Sequence, residues 1–168
     1  MAKAKPIDSM FNKLTTLQKM IKLGEEMIGM IIKRTQEGYG VNGEFSQYAS
    51  NTPTGAMPYW KRKQLGKFKG QSLKHRPSSP SDVNLTLTSK MLNSLKVKVG
   101  RTNETQVTIG MPGTEAIKAN AQELQGRAIS TTAKPVTEME EKFIAEFFDR
   151  EIKKAMKDAS GRTEIVIG

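Results

Sequence analysis

The basic stretch at residues 61–76 carries the side chains with the most evident chemistry in this sequence. It reads KRKQLGKFKGQSLKHR and contains seven Lys or Arg and no Asp or Glu. Cationic side chains bind phosphate oxygens, and aromatic rings among them can stack on unpaired bases. The stretch therefore predicts either contact with nucleic acid or a solvated loop that orders against acidic neighbours in an assembly. We favour the loop, because no nucleic-acid-binding module accompanies the charge. The candidate contact residues are Trp60, Lys61, Arg62, Lys63, Lys67, Phe68, Lys69, Lys74 and Arg76.

Residue types that commonly carry catalysis are sparse. His75 is the only histidine, and the charges of Lys74 and Arg76 beside it disfavour its protonated form. The adjacent carboxylates of Glu25 and Glu26 fall within a helical pattern, where solubility explains them. The sequence has no cysteine, and it lacks a phosphate-binding glycine loop, a zinc-protease motif and a nucleophile elbow. We predict that the protein is not an enzyme and uses no metal or cofactor.

Length, composition and charge narrow the classes of protein to which this chain could belong. The 168 residues are 36% hydrophobic, which suits a single domain, residues 1–168, with a modest core. No run of about 18 apolar residues occurs, so no membrane span is predicted. Residues 1–76 carry fourteen Lys or Arg against five Asp or Glu, whereas residues 77–168 carry thirteen against twelve. This asymmetry indicates an anionic partner, either nucleic acid or an acidic protein surface.

The pattern of residues 83–110 predicts a small β-sheet, and we expect the other elements to be arranged around it. Two runs of alternating apolar and polar residues flank the polar loop 101–106, as in an antiparallel hairpin with one buried face. Residues 89–94 before them predict a single helical turn. The apolar positions are Leu95, Val97, Val99, Val107 and Ile109, and the polar positions between them are Lys96, Lys98 and Thr108.

A long amphipathic helix is predicted over residues 8–37. Gly24 and Gly29 interrupt an otherwise good helical sequence and indicate close packing or a bend. The apolar residues recur three, four and seven positions apart, which predicts a stripe against the sheet. They are Phe11, Leu14, Leu17, Ile21, Ile28, Ile31 and Ile32.

Two helices are predicted after the hairpin. Residues 114–126 predict a short helix whose apolar side is Ile117, Ala121 and Leu124. Residues 137–159 predict a long last helix, where Thr137 and Glu140 have the spacing of a capping box. The apolar face of this helix is predicted to be Met139, Phe143, Ile144, Phe147, Phe148, Ile152, Ala155 and Met156.

Two segments have no predicted helix. Residues 38–82 predict a long irregular basic loop that reaches a neighbouring subunit, with a turn at Asn42-Gly43. The tail, residues 160–168, contains a strand-like run that would add an edge strand to this chain's own sheet or to a neighbour's. Its contact residues are Ile165, Val166 and Ile167. The predicted fold is α+β, with long N-terminal and C-terminal helices packed on a small antiparallel sheet.

Short motifs occur in an order that resembles a known family. They are Phe45 and Tyr48; Tyr59, Trp60, Lys61 and Arg62; then Val83, Asn84, Leu85, Thr86, Thr88, Met91, Leu92, Asn93, Ser94, Leu95 and Val97; and finally Lys134 and Pro135. This ordered set resembles the virion-morphogenesis family, the tail-completion or neck proteins of long-tailed bacteriophages. Lys90 departs from the pattern, since that family often has glycine there.

The resemblance implies a structural virion protein of the phage neck, made in the host cytoplasm. Such a subunit would complete the proximal tail end and join it to the head connector through a homo-oligomeric ring of sixfold or twelvefold symmetry. Its partners would be other neck and tail proteins, such as the stopper, tail terminator, tail tube or collar. The alternative is a nucleic-acid-binding protein that uses residues 61–76.

Overall fold

The computed structural model describes residues 16–71, 76–85, 90–101 and 105–160, with side chains except at 99–101, 105, 106, 159 and 160. Five helices and two antiparallel two-stranded sheets make up the described part, which confirms the predicted α+β class. The elements are α1 (Leu17–Gln36), β1 (Tyr39–Gly40), β2 (Gly43–Glu44), α2 (Tyr59–Gln64), α3 (Lys90–Asn93), β3 (Lys96–Arg101), β4 (Thr105–Gly110), α4 (Gly113–Glu123) and α5 (Glu138–Ser160).

The predicted hairpin is confirmed as β3 and β4, paired from Lys96 with Gly110 to Arg101 with Thr105. The helix α1 lies across its apolar face. A Cβ atom added to Gly24 would lie 2.7 Å from both methyl carbons of Val97, so glycine is what lets this helix approach the sheet so closely. The close packing predicted at Gly24 is therefore confirmed, whereas Gly29 has open space around it.

The last helix, α5, runs antiparallel to α1. Lys19 pairs with Glu151 near one end of the two helices, and Arg34 Nε lies 2.7 Å from Glu140 Oε1 near the other. A cluster of buried side chains joins the two helices to the hairpin, because Val107 and Ile109 of β4 pack against it. Its buried members are Met20, Leu23, Met27 and Phe147.

The capping box at the start of α5 is confirmed. The backbone N–H of Thr137 donates to Glu140 Oε2 at 2.7 Å, and the backbone N–H of Glu140 donates to Thr137 Oγ1 at 3.3 Å. Each side chain thus satisfies an amide that the first turn of a helix leaves without a partner. The second carboxylate oxygen of Glu140 remains available to Arg34, so the cap also fixes α5 to α1.

A second core cluster brings five residues of the ordered motifs together with Ile31 and Ile129. Ile31 of α1 meets side chains from the segment after β2, from residues 83–85 and from α3. Trp60, Met91 and Leu95 pack against this cluster while half-buried. The buried members are Ile31, Phe45, Tyr48, Val83, Leu85, Leu92 and Ile129. Most of the ordered motif residues that the structure describes thus lie in or against the interior.

Three predicted apolar faces need correction. All three predicted inner residues of the α4 region are exposed, and Ile117 and Leu124 are 68% and 90% exposed. On α5, Met139, Ile152 and Met156 are exposed. On α1 the buried stripe is centred on Met20, Leu23, Met27 and Ile31, so Leu17, Ile21 and Ile28 lie at its edge. Periodicity located α1, α4 and α5 among the described residues, but the covered side of each helix depends on elements distant in sequence. Phe11, Leu14 and the tail residues Ile165, Val166 and Ile167 lie outside the described residues.

Candidate interaction surface

The segment predicted to be irregular, residues 38–82, contains the strands β1 and β2 and the short helix α2, and the prediction was wrong at these elements. Pro58 precedes α2 in an extended conformation, which suits a residue at a helix start. The helix ends where Gly66 adopts φ +69° and its N–H donates to Lys63 O at 3.2 Å. The following loop folds back, because Gln71 Nε2 donates to Lys63 O and Gln64 Nε2 donates to Ser78 O at 3.4 Å.

Lys63 fixes this folded segment to the core. Its side chain is 1% exposed, and Nζ donates to Asn84 Oδ1 at 2.6 Å, to Asn84 O at 2.7 Å and to Tyr48 Oη at 3.4 Å. The Tyr48 hydroxyl in turn donates to Asn84 O at 2.6 Å. Lys63 was predicted as a surface contact residue, and that prediction was wrong, because its ammonium group is enclosed by three oxygens.

Burial sets the electrostatics of this internal contact. It lowers the pKa of Lys63 to about 8, an effect that the nearby Asp82 carboxylate opposes. Burial also raises the pKa of Tyr48 above its ordinary value. A lysine with a lowered pKa can serve as a nucleophile when substrate reaches it. Here the packing around Nζ prevents that approach, so the group is suited to a structural role.

Three aromatic rings lead from this internal contact to the surface. The ring centroids of Tyr48 and Tyr59 are 5.3 Å apart, and those of Tyr59 and Phe68 are 5.2 Å apart. The guanidinium of Arg127 lies 4.8 Å from the centroid of Tyr48, and that of Arg62 lies 4.8 Å from the centroid of Phe68. Cations over ring faces at these distances are attracted by the ring quadrupole. The row of three rings is thereby held in place by a charged residue at each end.

Arg127 is a positioning residue that the sequence analysis missed. It is buried, and it donates from Nε to Ser46 O at 2.9 Å, from Nη2 to Gln47 O at 3.0 Å and from Nη1 to Gln122 Oε1 at 3.2 Å. It thus joins the end of α4 to the chain leading into Tyr48. The two backbone partners are about eighty residues away in sequence, so no local pattern marked this arginine.

The remaining predicted contact residues divide into exposed and inward-facing groups. Trp60 is half-buried against the second core cluster, which corrects its prediction as a surface contact. Phe68 is half-buried, and Lys74 lies outside the described residues, as does His75. Five cations are exposed, and none takes part in the salt bridges found among described residues. They are Lys61, Arg62, Lys67, Lys69 and Arg76. We call these five residues, together with Tyr59 and Phe68, the α2 face.

The chemistry of the α2 face suits the binding of an anionic surface.

In the described ranges no group of three or more His, Asp or Glu side chains is placed to hold a metal ion. Within the same ranges no helix has the length and apolar character needed to cross a membrane. No family model, curated protein or solved structure matches the chain significantly.

Proposed function

We propose that this chain is a structural, non-enzymatic subunit of a tailed-bacteriophage neck. Copies arranged in a ring would complete the proximal end of the tail and join it to the head connector, so the protein would be located in the virion. The ordered motifs are the basis for the family. The uncovered apolar side of α4 is the structural observation that carries the role as a subunit.

The helix α4 has eleven residues and none of them is buried. Its apolar stripe consists of Ile117, Ala121 and the adjoining Leu124, and all three are exposed. Short helices depend on packing of an apolar face for their stability in water. Full burial of a leucine side chain contributes about 2 kcal/mol, so this surface favours coverage by another chain. Exposed Ile152 and Met156 on α5 add to the apolar surface that a partner would cover.

The location of the resembling residues supports a likeness of the whole fold. Phe45, Tyr48, Val83 and Leu92 meet in one core cluster, and Lys63 fixes the segment after Trp60 to Asn84. Residues that act together in one core are a more specific set than residues scattered over a surface. A ring needs two different patches that meet on neighbouring copies. The exposed apolar stripe of α4 would supply one such patch and meet an apolar patch on the next copy, whereas the basic α2 face suits an anionic surface of a partner.

Mass-resolved association of the pure protein, alone and with portal, stopper or tail-tube proteins, tests the proposal. We expect the wild-type chain to form a closed ring or to join one of these partners. Leu124→Asp should weaken that assembly, because it places a carboxylate in the apolar stripe. Thr132→Asp adds the same charge at an exposed position in the loop between α4 and α5 and should assemble normally. A chain that stays monomeric and joins no neck particle would refute the proposal.

Nucleic-acid binding is the second candidate, favoured by the exposed cations beside the Tyr59–Phe68 ring pair. Neutralising Lys61, Lys67 and Lys69 to Gln should then weaken DNA binding and reduce the salt dependence by roughly one unit of slope per lost phosphate contact. The triple replacement of Lys142, Lys153 and Lys154, which are exposed on α5, removes the same charge elsewhere. Equal losses from both triple variants would mean that net charge, and not the α2 face, attracts DNA.

A further inference from the structure

An open groove runs between α1 and the start of β3. It is lined by Leu17, Ile21, Glu25 and Ile28 from α1 and by Leu95, Lys96 and Val97 from the strand and the residue before it. No described residue of β4 lines it, so it lies on the side of β3 that faces away from β4. Among the described residues β3 pairs with β4 alone. The backbone N–H and C=O groups on that side of β3 are therefore available to a further strand.

The groove is apolar because the apolar side chains of α1 extend around the helix beyond those that α5 and β4 cover. Met20, Leu23 and Met27 are buried in the cluster shared with α5 and β4. Leu17 and Ile21 continue the arc on the groove side, where Leu17 is 42% exposed and Ile21 is half-buried. An unpaired strand edge beside apolar side chains is the arrangement used for β-strand addition, in which backbone bonds give affinity and alternate side chains enter the groove.

We propose that this groove receives residues 163–167 of a second copy, which add to β3 as a third strand. These residues read TEIVI, so Ile165 and Ile167 share one face of an extended chain and Glu164 lies on the other. With both isoleucines directed toward α1, Glu164 falls on the outer face of the sheet. Lys96 and Lys98 are exposed on that same outer face, so the added strand matches β3 through its two inward isoleucines and the charge of Glu164, while Val166 lies beside Glu164 on the outer face.

The reach of the tail favours a second copy over the same chain. Glu151 pairs with Lys19, and Ser160 lies nine residues farther along α5, about 13 Å beyond that level. The groove residues Ile21 and Ile28 lie in the opposite direction, so the tail would need to return about 16 Å and 27 Å, respectively, to reach their levels. Seven extended residues span only about 23 Å. Residues 163–167 of the same chain would therefore not reach the level of Ile28, whereas the same residues of a neighbour have no such limit.

This inference deepens the proposed ring and rests on it, and it is tested on the pure protein. Because the chain contains no cysteine, introduced cysteines report pairing without background. One preparation carries Lys96→Cys and the other carries Glu164→Cys; the two are mixed and oxidised mildly. The matched control replaces the first with Thr108→Cys, an exposed residue on the outer face of β4. A further variant of the Glu164→Cys chain carries Ile165→Lys and Ile167→Lys.

We expect the K96C–E164C heterodimer to exceed the T108C–E164C product about tenfold, because docking raises the effective concentration of one thiol near the other. The two isoleucine replacements should remove that excess. Equal yields with both partners would overturn the proposal, as would a K96C/E164C double variant that closes its disulfide within one chain at high dilution. The two proposals can fail separately. If the protein joins neck particles but shows no excess of the K96C–E164C product, the proposed function stands and the tail contact is refuted.

Discussion

Lys63 and Asn84 are joined by two hydrogen bonds from one ammonium group, 2.6 Å to the side-chain oxygen and 2.7 Å to the backbone oxygen. The contact connects α2 to the segment that leads into α3 and the hairpin. Together with the packing of Trp60, it holds the α2 face against the core. One residue of a surface-like basic run therefore holds its neighbours in place.

Lys63→Ala should destabilise the protein by about 2–3 kcal/mol, because it removes a donor from two buried oxygens of Asn84 and opens a cavity. The free energy of unfolding from urea denaturation measures the change. Lys61→Ala removes the same residue type at an exposed position of α2 and should cost less than about 0.5 kcal/mol. Equal effects of the two replacements would contradict the internal role of Lys63.

The pH dependence of stability should carry the signature of Lys63. Its pKa is about 8 in the folded protein against 10.5 in an exposed lysine. Between those pH values Lys63 is protonated in the unfolded chain and largely neutral in the folded protein, so the unfolded chain binds more protons than the folded protein. The free energy of unfolding therefore rises with pH across this range and declines as pH falls toward about 8. Relative to Lys63→Met, the wild type should gain about 1–2 kcal/mol between about pH 7.5 and pH 9.5.

That window is chosen to separate Lys63 from Tyr48. Burial raises the pKa of the Tyr48 hydroxyl, so its contribution has the opposite sign and is lost only as pH rises above the ordinary tyrosine value of about 10. Urea midpoints of wild type and Lys63→Met at each pH give the difference directly. A difference that stays flat across the window would show that Lys63 keeps an ordinary pKa.

The sequence predicted those features whose geometry is set by residues close to one another along the chain. The hydroxyl–carboxylate spacing of Thr137 and Glu140 predicted the start of α5, and the alternation of apolar and polar residues predicted the pairing of β3 with β4. Local sequence did not predict which residue of the basic run, Lys61, Arg62 or Lys63, turns inward. The available signal was spacing: Lys63 follows Trp60 by three positions, which places both on one side of a helix.

Long-range contacts account for most of what the sequence did not reveal. Arg34 donates from Nη2 to Ile129 O at 2.7 Å in addition to its ion pair with Glu140. These partners lie about one hundred residues away in sequence. The same limit applies to Leu124, because periodicity gives the apolar side of a helix but not whether this chain or a partner covers it.

The ion pair of Arg34 and Glu140 predicts a large loss of stability on truncation. Glu140→Ala removes the cap on the Thr137 N–H and leaves Arg34, whose side chain is 13% exposed, without its carboxylate. Breaking a buried pair costs about 3–5 kcal/mol. Glu141→Ala, at the exposed next position, should change the free energy of unfolding by less than about 0.5 kcal/mol. Thermal unfolding of the two variants distinguishes a buried link from general helix-end electrostatics, which would affect both similarly.

The two glycines inside α1 should respond in opposite directions to alanine. At Gly29 a Cβ meets nothing within 4 Å, so Gly29→Ala should stabilise the protein by about 0.5–1 kcal/mol through helix propensity. At Gly24 the same Cβ would lie 2.7 Å from both Val97 methyl carbons, and overpacking costs about 1–3 kcal/mol. The double variant Gly24→Ala/Val97→Ala should recover part of that loss, because it removes the methyl groups that clash. Stabilisation by Gly24→Ala alone, measured by urea denaturation, would mean that α1 does not lie this close to the sheet.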